Sequence, residues 1–490
     1  MNYTSTRNSS LSESAAKCFV QGISVDGGLF VPESFPQIAL SEIAGMTEMT
    51  YSERAYCVLS RYLTDFSSDE LKSCISSAYN TKFDESGVAP LHFIGDKTAV
   101  MELYHGPTLA FKDVALQILP HFLKYARKKE NETDKTLILV ATSGDTGKAA
   151  LEGFADVDGM GIAVFFPNAG VSKMQQLQMT TQEGNNVFVC AVNGNFDDAQ
   201  TGVKRIFGDK DIAAELKAKN IKLSSANSIN WGRLVPQIVY YFSAYADMLK
   251  SGKLALGDKI NFVVPTGNFG DILAGYYAMR MGLPVNKLIC ASNKNNVLTE
   301  FMETGVYNAR REFYKTDSPS MDILISSNLE RLLFELSGRD DRFTAALMDK
   351  LKTEGKYAIT PEMHRALLED FDAGCADEQK TAEAIKKLWK EQGYCIDTHT
   401  AVGVAVYEEY KKGDATPTVL LSTASPYKFP CAVLKAIYGE APADDFDAAD
   451  KLNSMGVKEP TQIATLKEKE VLHKSVCNKE DMASVLLKSN

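Results

Sequence analysis

The chain has 490 residues, 45 % hydrophobic and 24 % charged, with a formal net charge of −10. That length suggests roughly three domains and ample material for a core, while the absence of a long uninterrupted apolar run argues against a membrane span. The acidic balance, with no dense Lys/Arg patch among aromatics, excludes a nucleic-acid footprint.

Nine cysteines are scattered singly, odd in number and without a C-x-x-C pair, which fits reduced thiols in the cytoplasm. Six dispersed histidines form no H-E-x-x-H or other ligand spacing, so no metal site is expected. The opening MNYTSTRNSSLSESAAKC is polar and serine-rich and lacks an apolar signal segment; the mature protein is expected to start here.

Residues 1–90 read as an N-terminal lobe, with a Gly/Pro-marked loop SVDGGLFVPESFP and helices at SEIAGMTEMTYSERAYCVLSRYL and DELKSCISSAYN. Strand, loop and helix then alternate, the order of an α/β fold with mostly parallel sheets covered by helices. HGPTLAFKDVALQ, His105 to Gln117, leads into an amphipathic helix with apolar Val114, Ala115, Ile118, Leu119, Phe122, Leu123 and Ala126, interrupted only by Pro120. TLILVAT is the clearest early strand and runs through SGDTG, Ser143 to Gly147, into the helical KAALEGFA. GIAVFFP and NVFVCAVN follow as strands, the second after helical KMQQLQMTTQEG, and a small α/β unit closes at 131–225.

SSANSINWGRLVPQIVYYFSAYADMLK carries a polar loop into one long aromatic helix that returns to the larger sheet. INFVVPTGNFGDILAGYYAMRMG repeats the strand, glycine loop and helix arrangement, and LICASN is the next short strand. Residues 330–395 read as largely helical and charged, and TVLLSTASPYKFP adds a β-rich run that stops at Pro426 and Pro430. The expected division is 1–90, a large domain from 91–130 and 226–440, a small domain at 131–225, and C-terminal helices at 441–490.

Four segments could carry chemistry. Lys112 stands near a helix N-terminus, where partial positive charge favours a neutral amine able to attack a carbonyl; the alternative is a surface lysine paired with Asp113. TGNFG, Thr266 to Gly270, lies between a strand and a helix, so it either holds a phosphate on backbone N–H groups or is an ordinary turn. It is not G-x-G-x-x-G, and SGDTGKA is no P-loop, so NAD and ATP motifs are both missing. SGDTG suits a grip on a small polar ligand or plain helix capping by Ser143 or Asp145. Thr423 ends a buried-type strand and offers an uncharged hydroxyl.

HGPTLAFKD, ATSGDTG, SANSIN-x-x-RL-x-PQ, PTGNFGDILAG, DTHTAVG and STASPYKF, with DGGLFVP near the start, occur in unbroken order from about Tyr3 to Phe429. Together they resemble the threonine synthase family. That resemblance implies the fold type II architecture of pyridoxal-phosphate enzymes and the conversion of O-phospho-L-homoserine and water into L-threonine and phosphate. It implies Lys112 as the Schiff-base lysine, and Gly267, Asn268, Phe269 and Gly270 as the holders of the cofactor phosphate. Asp145, where many relatives have asparagine, would lie beside the cofactor hydroxyl, with Ser143 and Thr146 on the substrate carboxylate. Thr423 would face the pyridine nitrogen and leave it largely unprotonated. Asn230 and Arg233 are the candidates for the substrate phosphate, although Arg233 has a structural pairing as its alternative.

Two positions depart from the family pattern. Ser425 stands where T-A-H-P has histidine, and Asn8 follows Arg7 where glycine is expected. The implied mechanism has Lys112 released by the substrate amine and acting as general base at Cα. The implied partner is the small-molecule substrate, without nucleic acid or membrane, in a monomer or homodimer. Two competing readings remain: a phospholyase or dehydratase releasing a 2-oxo acid, and an inert binding protein that kept the fold.

Overall fold

The valine- and isoleucine-rich runs become strands covered on both faces, as parallel sheets flanked by helices require. Ile260–Pro265 and Met160–Pro167 are buried at every residue and lie inside two separate sheets of the computed structural model, which describes residues 1–84, 87–142, 144–169 and 171–489. The larger sheet has six strands in the order Phe371–Cys375, Val285–Ser292, Ile260–Pro265, Thr418–Ser422, Thr98–Glu102 and Leu91–Phe93. All its pairings are parallel except the last, between Leu91–Phe93 and Thr98–Glu102. The smaller sheet runs Ser475–Asn478, Val187–Asn193, Met160–Pro167, Lys135–Ala141 and Ile221–Ser224, parallel throughout. An antiparallel three-stranded sheet, Asn8–Glu13, Tyr3–Ser5 and Phe30–Pro32, forms the N-terminal edge and absorbs part of the expected DGGLFVP loop.

Four expectations need correction. The helix after Lys112 is two helices, Lys112–Leu116 and Leu119–Lys129, because Pro120 has no N–H to donate and is tolerated only in a first turn. The long aromatic helix likewise divides at Pro236 into Trp231–Leu234 and Gln237–Lys250. The charged stretch 330–395 contains Phe371–Cys375, an edge strand whose sequence FDAGC has little β-propensity and which owes its form to pairing with Val285–Ser292. The last fifty residues are not helices alone. Ser475–Asn478 extends the smaller sheet through Val187–Asn193, so the chain's end completes a sheet begun some 340 residues earlier.

Both sheets send their C-terminal strand ends toward the same region, the place where open α/β sheets bind ligands. Thr142 and the segment 144–147 follow the smaller sheet there, and residues 266–270 leave the larger one. Among the described residues, no helix is long and apolar enough to cross a membrane.

Candidate active site

Lys112 is the first residue of the helix Lys112–Leu116, and its side chain is 12 % exposed. Five residues align too few peptide dipoles to carry the effect expected from a helix N-terminus. Burial does that work instead. It pulls the proton affinity of the Lys112 amine below the ordinary lysine range; Asp145 opposes this, and the positive charges of Lys428 and Arg233 reinforce it. The surface pairing with Asp113 does not form. Asp113 turns inward and accepts from the Thr108 N–H at 2.8 Å and the Thr108 hydroxyl at 2.7 Å, and burial raises its carboxyl to about 6.

Lys112 meets Asp145 instead, with Nζ 3.7 Å from Oδ2. The helix Asp145–Phe154 can approach this closely because of Gly153, where a Cβ would stand 2.1 Å from the Leu116 carbonyl oxygen. Asp145 is also bound by Lys428, whose Nζ lies 2.8 Å from Oδ1 and whose side chain is 1 % exposed. Burial works against the Asp145 charge, but the two lysines, Lys428 ahead of Lys112, outweigh it and hold the carboxyl far below its ordinary range. Ser320 adds a hydroxyl donor to Oδ2 at 3.2 Å.

The same serine reaches a second polar pair. Its N–H donates to His399 Nε2 at 3.1 Å, while His399 Nδ1 lies 2.7 Å from Asp397 Oδ2. A nitrogen that accepts cannot carry a proton, so the ring is the Nδ1–H tautomer donating to Asp397. His399 thereby brings an imidazole to the pocket, although Ser425 lacks the family's histidine. Ser425 itself caps the following turn by accepting from the Tyr427 N–H at 3.3 Å.

The glycine loop is fixed mainly by backbone. Phe269 sits in the left-handed region at φ 61°, just before the helix Gly270–Arg280. The Asn268 carbonyl accepts from the Asn328 N–H and side-chain amide, both at 3.0 Å, and the Gly267 carbonyl accepts from the Ser326 hydroxyl at 2.8 Å. At Gly267 a Cβ would meet the Ser320 carbonyl oxygen at 3.0 Å, so the loop closely approaches the segment that contacts Asp145. Asp271, next in the helix, receives the Tyr240 and Tyr241 hydroxyls at 2.5 and 3.0 Å; burial raises its carboxyl to about 6.

The remaining expected residues are placed as follows. The Thr423 carbonyl accepts from the Phe111 N–H at 2.9 Å, which sets the end of Thr418–Ser422 beside Lys112. Arg233 is buried, donates through Nη1 to the Ala226 carbonyl at 2.6 Å, and leaves Nε without a partner. Burial alone lowers its guanidinium to about 10. The Asn230 amide is committed within the protein: its nitrogen donates to the Phe19 carbonyl at 3.1 Å and its oxygen accepts from the Gly232 N–H at 2.9 Å. Thr146 is half-buried in the first turn of its helix, and Ser143 lies outside the described residues.

Residues 2–79 match the family description "Threonine synthase N terminus", 94–423 match "Pyridoxal-phosphate dependent enzyme", and 400–483 match "Threonine synthase, C-terminal". The threonine synthase of Pseudomonas aeruginosa is 41 % identical over 451 residues, covering 92 % of this chain and 93 % of that protein. The chain belongs to the threonine synthase family. Human threonine synthase-like 1 is 40 % identical over 433 residues, 86 % of this chain, but the match spans only 58 % of that longer protein. The crystal structure of PLP-bound threonine synthase from Brucella melitensis superposes with a TM-score of 0.90 at 38 % identity, over 100 % of this chain and 99 % of that one. The α/β fold with mostly parallel sheets expected from the sequence is therefore the fold found, and the chain is a pyridoxal-phosphate-dependent enzyme.

The pocket of this threonine synthase family member fits that cofactor. A buried lysine with weakened proton affinity stands ready for an aldehyde, and a buried guanidinium nitrogen lacks a partner. Sequence reasoning missed Lys428, Ser320, His399 and Asp397. Lys428, His399 and Asp397 lie inside motifs already singled out, and a lysine in the otherwise uncharged STASPYKF was the readable signal. Ser320 gave no signal.

Proposed function

We propose that this chain converts O-phospho-L-homoserine and water into L-threonine and phosphate, with Lys112 as the covalent anchor of pyridoxal phosphate. The observation that carries this reading is Arg233, a buried guanidinium that pairs with no carboxylate among the described residues and whose charge is felt at Lys112. A buried cation without a counter-ion is costly and awaits an anion, which a γ-phosphate ester supplies.

Gly267, Asn268, Phe269 and Gly270 hold the cofactor phosphate through the loop and the helix that follows it. Thr423 would offer the pyridine nitrogen an uncharged hydroxyl, Asp145 would serve the ring hydroxyl, and Ser143 and Thr146 would take the substrate carboxylate. When bound, the cofactor supplies an electron sink for the charge that develops at the substrate's Cα. Lys112 Nζ would take the Cα proton, and the Cβ proton would go to the γ-phosphate as it leaves; Lys112 then returns a proton to Cγ, which becomes the methyl group, while water gives its hydroxyl to Cβ and its proton, through Lys112, to Cα. Arg233 stabilises the departing phosphate through a guanidinium that presents several N–H donors. Asn230, engaged at both ends, serves this step by capping the helix Trp231–Leu234 that presents Arg233. The nine cysteines are all free, which supports placing this reaction in the cytoplasm.

The test is incubation of the protein with O-phosphohomoserine and cofactor, with threonine, 2-oxobutyrate and phosphate measured together. Threonine and phosphate should appear in equal amounts. Phosphate with 2-oxobutyrate instead would establish a phospholyase, and no turnover with no visible cofactor band would establish an inert relative.

A further inference from the structure

Asp145 is shared unequally by two lysines. Lys428 Nζ lies 2.8 Å from one carboxylate oxygen and Lys112 Nζ 3.7 Å from the other. A carboxylate alone beside Lys112 would stabilise its ammonium form, the wrong state for an amine that must attack an aldehyde and later accept a proton. The nearer lysine alters that balance. Lys428 follows the strand Thr418–Ser422, is almost fully enclosed, and has a second acceptor in Gln178 Oε1 at 3.3 Å.

We propose that Lys428 is a positioning residue for the reaction, engaging the Asp145 carboxylate that would otherwise pair with Lys112 and so leaving the Lys112 amine available to the cofactor. Coulomb attraction falls with distance, so the closer ion takes the larger share of the carboxylate, and its positive charge also repels a proton on Lys112. The directions agree: Asp145 raises the proton affinity of Lys112, whereas Lys428 and Arg233 lower it. The other charged or titratable groups facing these three residues are His399 toward Asp145, Asp271 toward Lys112, and Asp113 and Lys148 toward Lys428. A charged Asp145 is thus compatible with a neutral Lys112 because Lys428 accompanies it. This inference rests on the reading of Lys112 as the cofactor lysine.

Two pH titrations test it on the full chain: the visible cofactor band of the holoenzyme, and acylation of Lys112 by an amine-reactive reagent in the cofactor-stripped protein, read by peptide mass. Lys428→Met removes a cation, so the Lys112 nitrogen should hold its proton to higher pH and both midpoints should move up by about 1 pH unit. Asp145→Asn removes the anion and should move them down, an opposite sign that general structural damage does not produce. Lys428→Arg should stay near wild type. An unmoved Lys428→Met midpoint in both titrations, or a shift of both variants in one direction, overturns the proposal. If the wild type forms no visible band while Lys112 acylation follows these shifts, the functional reading fails and the role of Lys428 stands.

Discussion

Two strand-to-helix turns meet at this site, and they are built by opposite means. TGNFG is held by main chain and neutral groups: Phe269 in the left-handed region, and the carbonyls of Gly267 and Asn268 tied to Ser326 and Asn328. The segment 144–147 is held around one hydroxyl, Thr142 Oγ1, which accepts from the Gly144 and Gly147 N–H groups at 3.1 Å each. Its one charged residue, Asp145, is fixed from outside the turn by Lys428 and Ser320. A turn that binds a constant anion can be rigid and free of side-chain charge, because N–H dipoles suffice. A turn that governs proton transfer needs groups whose charge responds to its surroundings.

The largest break in this contrast is Lys112→Ala. It removes the residue whose protonation the polar turn governs and leaves the neutral turn intact. Threonine formation should fall by about a thousandfold or more, the combined loss of a nucleophile and a general base. Pyridoxal phosphate should still bind, with the spectrum of a free aldehyde, because TGNFG is untouched. Threonine formation at the wild-type rate would end the mechanism proposed for Lys112.

Gly267→Val breaks the other turn. A Cβ there meets two backbone atoms, the Ser320 carbonyl oxygen at 3.0 Å and the Met321 Cα at 3.3 Å, and backbone cannot rotate aside as a flexible side chain can. Cofactor affinity should fall about tenfold to a hundredfold, equivalent to about 1.4 to 2.8 kcal/mol, whereas the rate at saturating cofactor should change much less. Fluorescence titration with pyridoxal phosphate measures the first effect and steady-state assay the second. A variant that loses rate but keeps affinity would show that the two turns do not divide their work this way.

Much of this division was legible in the chain itself, unevenly and for physical reasons. TLILVAT, GIAVFFP and INFVVP announce buried parallel strands because local propensity and burial agree. FDAGC and the strand Ser475–Asn478 do not, because each owes its form to a neighbour distant in sequence. Lys112 could be singled out as a motif lysine, yet the cause of its weakened proton affinity could not. The short helix contributes little; burial is the main cause, and the positive charge that adds most to it, Lys428, is 316 residues away along the chain and 2.8 Å from the shared carboxylate. Asn230 shows the converse ambiguity: an amide in a binding motif is equally suited to capping, and here its oxygen caps Trp231–Leu234 through the Gly232 N–H while its nitrogen donates to the Phe19 carbonyl.

Thr142→Val sharpens the comparison with the smallest expected effect. The substitution keeps shape and volume almost unchanged and removes the acceptor of the Gly144 and Gly147 N–H groups, both buried. Leaving buried donors unsatisfied costs about 1–3 kcal/mol of stability, which should appear as a lowered Tm and as faster amide exchange confined to 144–147. TGNFG has no atom in this arrangement, so cofactor affinity should hold within about twofold, well under 1.4 kcal/mol. The lysines and Ser320 still hold Asp145 from the opposite side, so the pH midpoint of Lys112 should hold as well. If that midpoint moves with the Tm, the polar turn fixes Asp145 through its own backbone. Lys428 would then share control of Lys112 with Thr142.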